Sequence, residues 1–398
     1  MANDSLGNAR AAKNDEFYTQ YHDIEKEMNA YLEYNEDVFR DKTVLLPCDD
    51  PEWSNFTKYF AQNFGRLGLK KLISTSYAPN SKPKKVDDHP TLFELESPQF
   101  DSSKTDAHGK IFTVTHDVTG DGVINVEDLE WSYLEGDGDF RSAEVTALRD
   151  EADIIITNPP FSLFREFLAW IVEANKQFVI IGNMNAINYR DSFPLIKGDR
   201  MWLGATNFNV GMYFRVPDGF VYAPTYKFER NQNGYAVNRV PGVCWFTNLD
   251  HGRRHEPMPL MTAADNIRFS KHKEVNGVGY LPYDNYLAIE VPYADAIPSD
   301  YDGVMGVPIS FLGKYSPEQF EIVGITKTWD DDSGWKSKIY SQQVQISPNG
   351  ERSMVSKLND GGALVVDEIP VSTYYEVDGL KLVQVYARIL IRHRKASE

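Results

Sequence analysis

Cysteine is almost absent: Cys48 and Cys244 are the two in the chain. Two thiols so far apart form neither a disulfide framework nor a zinc quartet. Both sit in strand-like apolar runs, where a buried free thiol is the ordinary outcome, and their scarcity suits a reducing, cytoplasmic compartment. Long apolar runs are also missing. None approaches the roughly 20 residues a membrane-spanning helix needs, so no membrane is expected as a partner. The first 13 residues are polar and small, without the apolar core of a signal peptide. A net positive charge is lacking too: 41 basic against 58 acidic residues leave −17. That counts against nucleic acid as a partner without excluding it, because a localised basic face can bind while the rest stays acidic. Basic residues do gather, as Arg253-Arg254-His255, as Arg268 with Lys271, His272 and Lys273, and as Arg388, Arg392, Arg394 and Lys395. Such runs are ordinarily solvated surface. No internal repeat or low-complexity tract is present.

The stretch Asp153-Ile154-Ile155-Ile156-Thr157-Asn158-Pro159-Pro160-Phe161 is followed at once by a helical apolar pattern over residues 163–172. A short β-branched run closed by prolines reads as a buried strand ending in a loop. Each proline fixes its own φ and disfavours the α region for the residue before it. Asn158 is therefore expected in an extended conformation at the carboxyl end of a strand, where open α/β sheets bind ligands. These residue types suit methylation of an exocyclic amine. The lone pair of such an amine is delocalised into its ring, and two acceptors that draw its N–H groups out of plane make it nucleophilic without a strong base. The Asn158 side-chain oxygen and the Pro159 carbonyl are the candidate acceptors. Neither Pro159 nor Pro160 offers a competing N–H, and Phe161 would stack on the base. The competing reading is a Pro-Pro loop without a catalytic role.

Upstream, a helical pattern runs over residues 21 to about 39, with Ile24, Met28, Tyr31 and Leu32 on one face. Residues 43–48 form an apolar strand that runs into Asp49-Asp50-Pro51, and a helix follows over 56–64. This is a strand–loop–helix unit of a nucleotide-type sheet, without the usual glycine-rich fingerprint. Residues 69–74 and 178–181 are further strands, and 202–216 with 243–247 would close the sheet as an antiparallel hairpin. Beyond His251 prolines and tyrosines recur and strands are short. The tail, 382–394, reads as one strand with a basic edge. The expected architecture is α/β: a doubly wound, mostly parallel sheet with an antiparallel hairpin over residues 1–255, and a smaller mixed α/β domain over 256–398.

An acidic insertion interrupts the first of these domains. Asp117, Thr119, Asp121, Asn125 and Asp128 place side-chain oxygens at positions 1, 3, 5, 9 and 12 of a twelve-residue loop. The Val123 carbonyl falls at position 7, and Gly122 at position 6, where an EF-hand-type calcium loop turns sharply. A structural Ca²⁺ is expected there, with residues 129–134 as the exiting helix. An ordinary Asp-Gly turn is the alternative.

Five stretches then occur in a fixed order: Asp15-Glu16-Phe17-Tyr18-Thr19-Gln20, Cys48-Asp49-Asp50-Pro51, Ser54-Asn55-Phe56, Gly138-Asp139-Phe140-Arg141-Ser142, and Asn158-Pro159-Pro160-Phe161-Ser162-Leu163-Phe164-Arg165-Glu166. Together they resemble the EcoRI-type adenine-specific DNA methyltransferase family. Trp245-Phe246-Thr247-Asn248-Leu249-Asp250 and Gly306-Val307-Pro308-Ile309 extend the resemblance over nearly the whole chain. It implies S-adenosylmethionine as cofactor. Phe17, Tyr18 and Thr19 would lie beside its methionine end, with Thr19 bonded to its carboxylate. Asp49 and Asp50 would lie near its ammonium group, and Asp139 and Phe140 at its adenine. Asn158-Pro159-Pro160-Phe161 is then the catalytic motif. Where related enzymes carry an acid for the ribose, this chain has Ser74-Thr75-Ser76.

The implied reaction is methyl transfer to adenine N6 in a specific sequence of double-stranded DNA, with the target base out of the stack and residues 256–398 recognising the target. A cognate restriction endonuclease would be a functional rather than a physical partner. Two other readings stay open: methylation of another amine or amide, such as cytosine N4 or protein glutamine, and a DNA-binding relative without activity.

Overall fold

The computed structural model describes residues 18–48, 54–78, 97–206, 208, 210–215, 228–230 and 236–395. The chain divides into two compact units. Unit 1 takes Met1–Ala186 and Met201–Gly252, and unit 2 takes Ile187–Arg200 and Arg253–Glu398. The negative charge is uneven between them: 22 basic against 36 acidic residues in unit 1, and 19 against 22 in unit 2. Among the described residues no helix is long and apolar enough to cross a membrane.

Unit 1 contains, in chain order, β1 (Tyr18–Thr19), α1 (Tyr21–Tyr34), β2 (Thr43–Leu46), α2 (Asn55–Gln62), α3 (Phe64–Leu67), β3 (Lys71–Ser76), β4 (Lys110–Val114), β5 (Glu130–Tyr133), α4 (Ala143–Glu151), β6 (Ile154–Thr157), α5 (Phe164–Glu173), β7 (Gln177–Asn183), β8 (Trp202–Leu203), β9 (Met212–Arg215), β10 (Phe228–Arg230), β11 (Ala236–Val240) and β12 (Val243–Thr247). Eight of the strands form one sheet, ordered β5-β4-β3-β2-β6-β7-β12-β8. Its middle is parallel, because β2–α2–β3 and β6–α5–β7 are crossover units that return the chain in the same direction. Strands buried on both faces read as continuous apolar runs, and β2 and β6 are buried throughout. The helices start where side chains satisfy their free N–H groups: Ser54 Oγ accepts from Phe56 N and Ser142 Oγ from Val145 N. On α5, Phe164, Phe167, Leu168 and Ile171 are buried at helical spacing.

Several expectations need correction. The large sheet is mixed rather than mostly parallel: three of its seven neighbouring pairs are parallel and four antiparallel. The extra antiparallel edge is β4–β5, which brackets the acidic insertion; on β4, buried and half-buried residues alternate. Residues 129–134 are thus no exiting helix. Trp131 and Tyr133 suit a strand, and β5 pairs with β4. The expected strand over 202–216 is two elements. β8 joins the large sheet, whereas β9 joins a second sheet ordered β1-β9-β11-β10. The first helix stops at Tyr34, where Asn35 leaves the helical region and its side chain accepts from Asp37 N.

Unit 2 contains α6 (Phe193–Lys197), α7 (Ala263–Phe269), β13 (Ile289–Glu290), β14 (Met305–Pro308), β15 (Phe320–Ile325), β16 (Gln343–Ile346), β17 (Arg352–Val355), β18 (Ala363–Val365), β19 (Tyr374–Val377), β20 (Leu380–Gln384) and β21 (Arg388–His393). Its sheets are ordered β13-β14-β21-β15 and β17-β16-β19-β20-β18. The expected tail strand is therefore two strands, β20 and β21, in different sheets. Nor is it a basic edge: β21 is interior, Arg388 pairs with Glu290, and Arg392 pairs with Glu321. Arg388 sends Nε and a terminal nitrogen to the Glu290 carboxylate at 2.7–3.2 Å, and the Tyr283 hydroxyl donates to the same group. Removing one partner of a buried pair strands the other charge. Arg388→Ala should destabilise the protein by about 3–5 kcal/mol in urea denaturation. A loss well under about 1 kcal/mol would place the pair among solvated surface bridges.

Candidate active site

The site is built from the carboxyl ends of the parallel strands. β6 lies between β2 and β7, with Val44 opposite Ile154 and Thr157 opposite Ile180. Asp153 anchors the entry to β6: its carboxylate accepts from Thr43 N at 2.8 Å, and its own N–H reaches the Thr43 carbonyl. The three isoleucines are fully buried. The chain leaves the sheet at Asn158, which is half-buried, followed by buried Pro159 and half-buried Pro160. The Pro160 carbonyl accepts from Leu163 N, forming a tight turn over Phe161–Leu163 before α5 starts. Phe161 is half-buried and meets the Phe214 ring of β9 at 6.5 Å and 83°. The four residues of the motif thus stand together at the end of the middle strand.

Of the expected cofactor residues, Phe17, Asp49 and Asp50 lie outside the described residues. Tyr18 and Thr19 form β1, paired with Arg215 and Phe214. The Thr19 carbonyl accepts from Asn55 Nδ2 at 2.7 Å, which ties β1 to the first residue of α2. The Thr19 hydroxyl is buried and makes no hydrogen bond among the described residues. A buried hydroxyl beside a helix N-terminus fits a carboxylate, because the helix end carries free N–H groups and a partial positive charge. These residues therefore fit the methionine end of S-adenosylmethionine.

The loop carrying Asp139 and Phe140 lies against the end of β3. Gly138 adopts φ +84°, and a Cβ there would collide with the Ser76 carbonyl oxygen. Asp139 is clasped by Arg141, whose Nε and terminal nitrogen reach its two oxygens at 2.9 and 2.6 Å. The guanidinium holds the Asp139 carboxyl below its ordinary range. The Phe140 side chain is 4 % exposed and packs edge-on against Phe167 and Trp170. The hydroxyls of the serine–threonine run serve the sheet: Ser74 bonds Thr57, Thr75 donates to the Pro47 carbonyl, and Ser76 accepts from Lys110 N.

The acidic loop turns its oxygens on its own backbone. Asp117 accepts from Gly120 N and Gly122 N, and Asp121 from Val123 N. Asn125 accepts from Glu127 N, while Asp128 accepts from Val118, Thr119 and Asn125 N. Thr119 donates its hydroxyl to Asp117. Among the described residues no three His, Cys, Asp or Glu side chains are arranged to hold a metal ion.

The basic clusters are largely neutralised. Arg254 is 8 % exposed and paired with Asp199, His255 bonds Glu318 at 2.7 Å, and Lys271 and His272 share Asp295. Arg253 and Arg254 therefore do not form one exposed basic pair. Sequence reasoning passed over Glu27, a carboxyl on the buried stripe of α1, and Phe214 and Thr206, which matter only once β9 is placed. The one signal for Glu27 was an acid between Ile24, Met28 and Tyr31 on an apolar face.

An Asn-Pro-Pro-Phe turn that ends a parallel strand inside a mixed α/β sheet is consistent with a methyltransferase fold. The particular family follows from sequence comparison. A family model described as adenine-specific methyltransferase EcoRI matches residues 5–394. The chain is 41 % identical over 329 residues to the type II methyltransferase M.EcoRI of Escherichia coli, covering 83 % of this chain and 91 % of that one. It is 34 % identical over 316 residues to M.MpnI of Mycoplasma pneumoniae, covering 79 % and 83 %. It is also 34 % identical to M.MgeORF184P of Mycoplasma genitalium, covering 79 % and 84 %. No solved structure matches. The chain belongs to the EcoRI-type adenine-specific methyltransferase family and is a site-specific adenine methyltransferase acting on DNA.

The acidic loop supplies a pH test. Backbone N–H groups hold the Asp128 carboxyl below its ordinary value. A depressed folded pKa gives stability that is complete above the unfolded carboxylate value of about 4 and is lost as pH falls through the folded one. Asp128→Asn should therefore be less stable than wild type at neutral pH, with the gap closing only in acid below about pH 4. Thermal unfolding across pH 2–7 measures the gap; a difference that does not change with pH would remove the carboxylate as its source.

Proposed function

We propose that the chain transfers the methyl group of S-adenosylmethionine to N6 of an adenine within a specific sequence of duplex DNA, with Asn158 and Pro159 as the groups that hold the amine. The placement of Asn158 carries this reading: it is half-buried at the carboxyl end of the middle strand and is followed by two residues without N–H groups. S-adenosylmethionine, when bound, supplies an electrophilic methyl group on a sulfonium. The Asn158 side-chain oxygen and the Pro159 carbonyl accept the two N6–H bonds and turn the amine lone pair out of the ring plane. Phe161, braced by Phe214, stacks on an adenine that has left the helix. Thr19 and the α2 N-terminus hold the cofactor carboxylate, with Asp49 and Asp50 assigned to its ammonium group. No general base is needed before methyl transfer, so holding the amine in line is the main catalytic contribution.

Residues 256–398 are assigned to target recognition, a cytoplasmic setting is assigned to the whole, and a cognate endonuclease shares its DNA site without binding it. The acidic loop is assigned a structural Ca²⁺: its carboxylates accept backbone N–H groups and keep further lone pairs for a cation. Millimolar-scale Ca²⁺, the weak end of such loops, should raise the melting temperature. No rise and no heat on calorimetric titration would return the segment to an ordinary Asp-Gly turn.

Asn158→Ala should lower single-turnover methyl transfer by about 10²–10³ while leaving cofactor affinity and melting temperature near wild type. Near wild-type turnover would remove Asn158 from the chemistry. Thr19→Val should weaken S-adenosylmethionine binding at least about tenfold, the scale of a lost hydrogen bond to a charged group. Calorimetric titration showing unchanged affinity would free Thr19 of that role.

A further inference from the structure

One carboxyl inside unit 1 takes no part in the scheme above. Glu27 is fully buried on α1, and both its oxygens are occupied by donors. Oε1 accepts from the Tyr31 hydroxyl at 2.6 Å and from Ala205 N at 2.8 Å. Oε2 accepts from Thr206 N at 2.9 Å and from the Thr206 hydroxyl. Two successive backbone N–H groups on one carboxylate make an anion nest. The approach is close enough that a Cβ on Gly204 would collide with Glu27 Oε1 and Trp245 Cβ. A buried carboxylate is costly unless it is fully hydrogen-bonded, so this cluster holds its partners in one arrangement.

The place it clamps gives it consequence. Residues Gly204, Ala205 and Thr206 directly follow β8, the last strand of the large sheet, and lead towards β9 of the small sheet. β9 carries Phe214, which braces Phe161, and pairs with β1, which carries Thr19. α1 begins two residues after Thr19, so Glu27 ties the chain entering β9 to the helix that extends from β1.

We propose that Glu27 is a positioning residue for methyl transfer: by fixing the Gly204–Thr206 segment it sets Phe214 against Phe161, and so the wall on which the target adenine stacks. This rests on the assignment of Phe161 to the target base. The route runs through the backbone N–H groups and hydroxyl of Ala205 and Thr206, not through contact with either substrate. A change at Glu27 should therefore affect the seating of the base rather than cofactor affinity.

The test uses the full chain and a duplex carrying its own methylation site, read by sequencing DNA from an expressing host, with 2-aminopurine in place of the target adenine. Fluorescence rises when that base leaves the stack. Glu27→Gln keeps the size of the side chain but presents an amide to donors that need an acceptor. At a temperature where both proteins are folded, it should retain S-adenosylmethionine binding and lose most of the fluorescence rise. Single-turnover methyl transfer, measured on the same duplex with adenine kept at the target because 2-aminopurine lacks the N6 amine, should drop about 10²-fold, the scale of a small misplacement. Thr206→Val, which keeps both backbone bonds, should show a smaller drop with the same signature. In a Phe214→Leu background Glu27→Gln should add little, since both act on one contact. Full fluorescence and wild-type rate in Glu27→Gln would overturn the proposal, as would an undiminished effect in the Phe214→Leu background. A wild-type protein that methylates no adenine would overturn the underlying assignment as well, and shows before any variant is made.

Discussion

Two adjacent prolines at the end of a strand paired on both sides leave the backbone few options. β6 is held by β2 on one edge and β7 on the other, so its direction is set by the sheet. Pro159 and Pro160 lack the N–H groups that would extend either ladder, and each biases the residue before it away from the helical region. The chain must stop, turn through Phe161–Leu163 and re-enter as α5. Asn158 is therefore presented at the carboxyl end of the sheet by backbone constraint rather than by side-chain packing. The rest of unit 1 is arranged around that fixed point: the Asp139 loop lies at the end of β3, and the small sheet supplies Phe214 to Phe161.

The small sheet makes the active site more than the end of a nucleotide-type fold. β1 is two residues long and would have little stability by itself. It persists because β9 pairs with it, because Asn55 of α2 reaches its carbonyl, and because α1 runs on from it into the core. In the proposed scheme the cofactor-side Thr19 and the base-side Phe214 therefore stand opposite each other in one two-strand contact. Electrostatics follow a similar economy. The acidic surplus lies mainly in unit 1, while unit 2 is close to neutral and many of its arginines and lysines are paired with acids. Specific contacts, not a broad positive field, must then carry DNA recognition.

Much of this was legible in the chain because the signals were local. An isoleucine run ending in Pro-Pro announces a buried strand and its exit, and Ser54 and Ser142 announce helix starts. Long-range pairing left no such trace. Nothing near residue 212 says that the strand there leaves the large sheet to pair with Tyr18 and Thr19. After the acidic loop a helix was expected, yet Trp131 and Tyr133 fold as a strand paired with β4, because the pairing partner is distant in sequence. The partners of the basic runs were invisible for a similar reason, since acids such as Asp199, Asp295 and Glu290 are distant in sequence. Glu27 gave only the signal of an acid on an apolar stripe, and its donors come from residues 205 and 206, distant in sequence.

The central claim is that Asn158 and Pro159 hold the N6 amine of adenine for methyl transfer. Incubation of the purified protein with tritiated S-adenosylmethionine and duplex DNA, followed by digestion to nucleosides and mass spectrometry, tests it directly. The account predicts label in N6-methyladenine alone, at one sequence context, and its loss in Asn158→Ala. Label in N4-methylcytosine, or adenine methylation that survives the loss of Asn158, would contradict it.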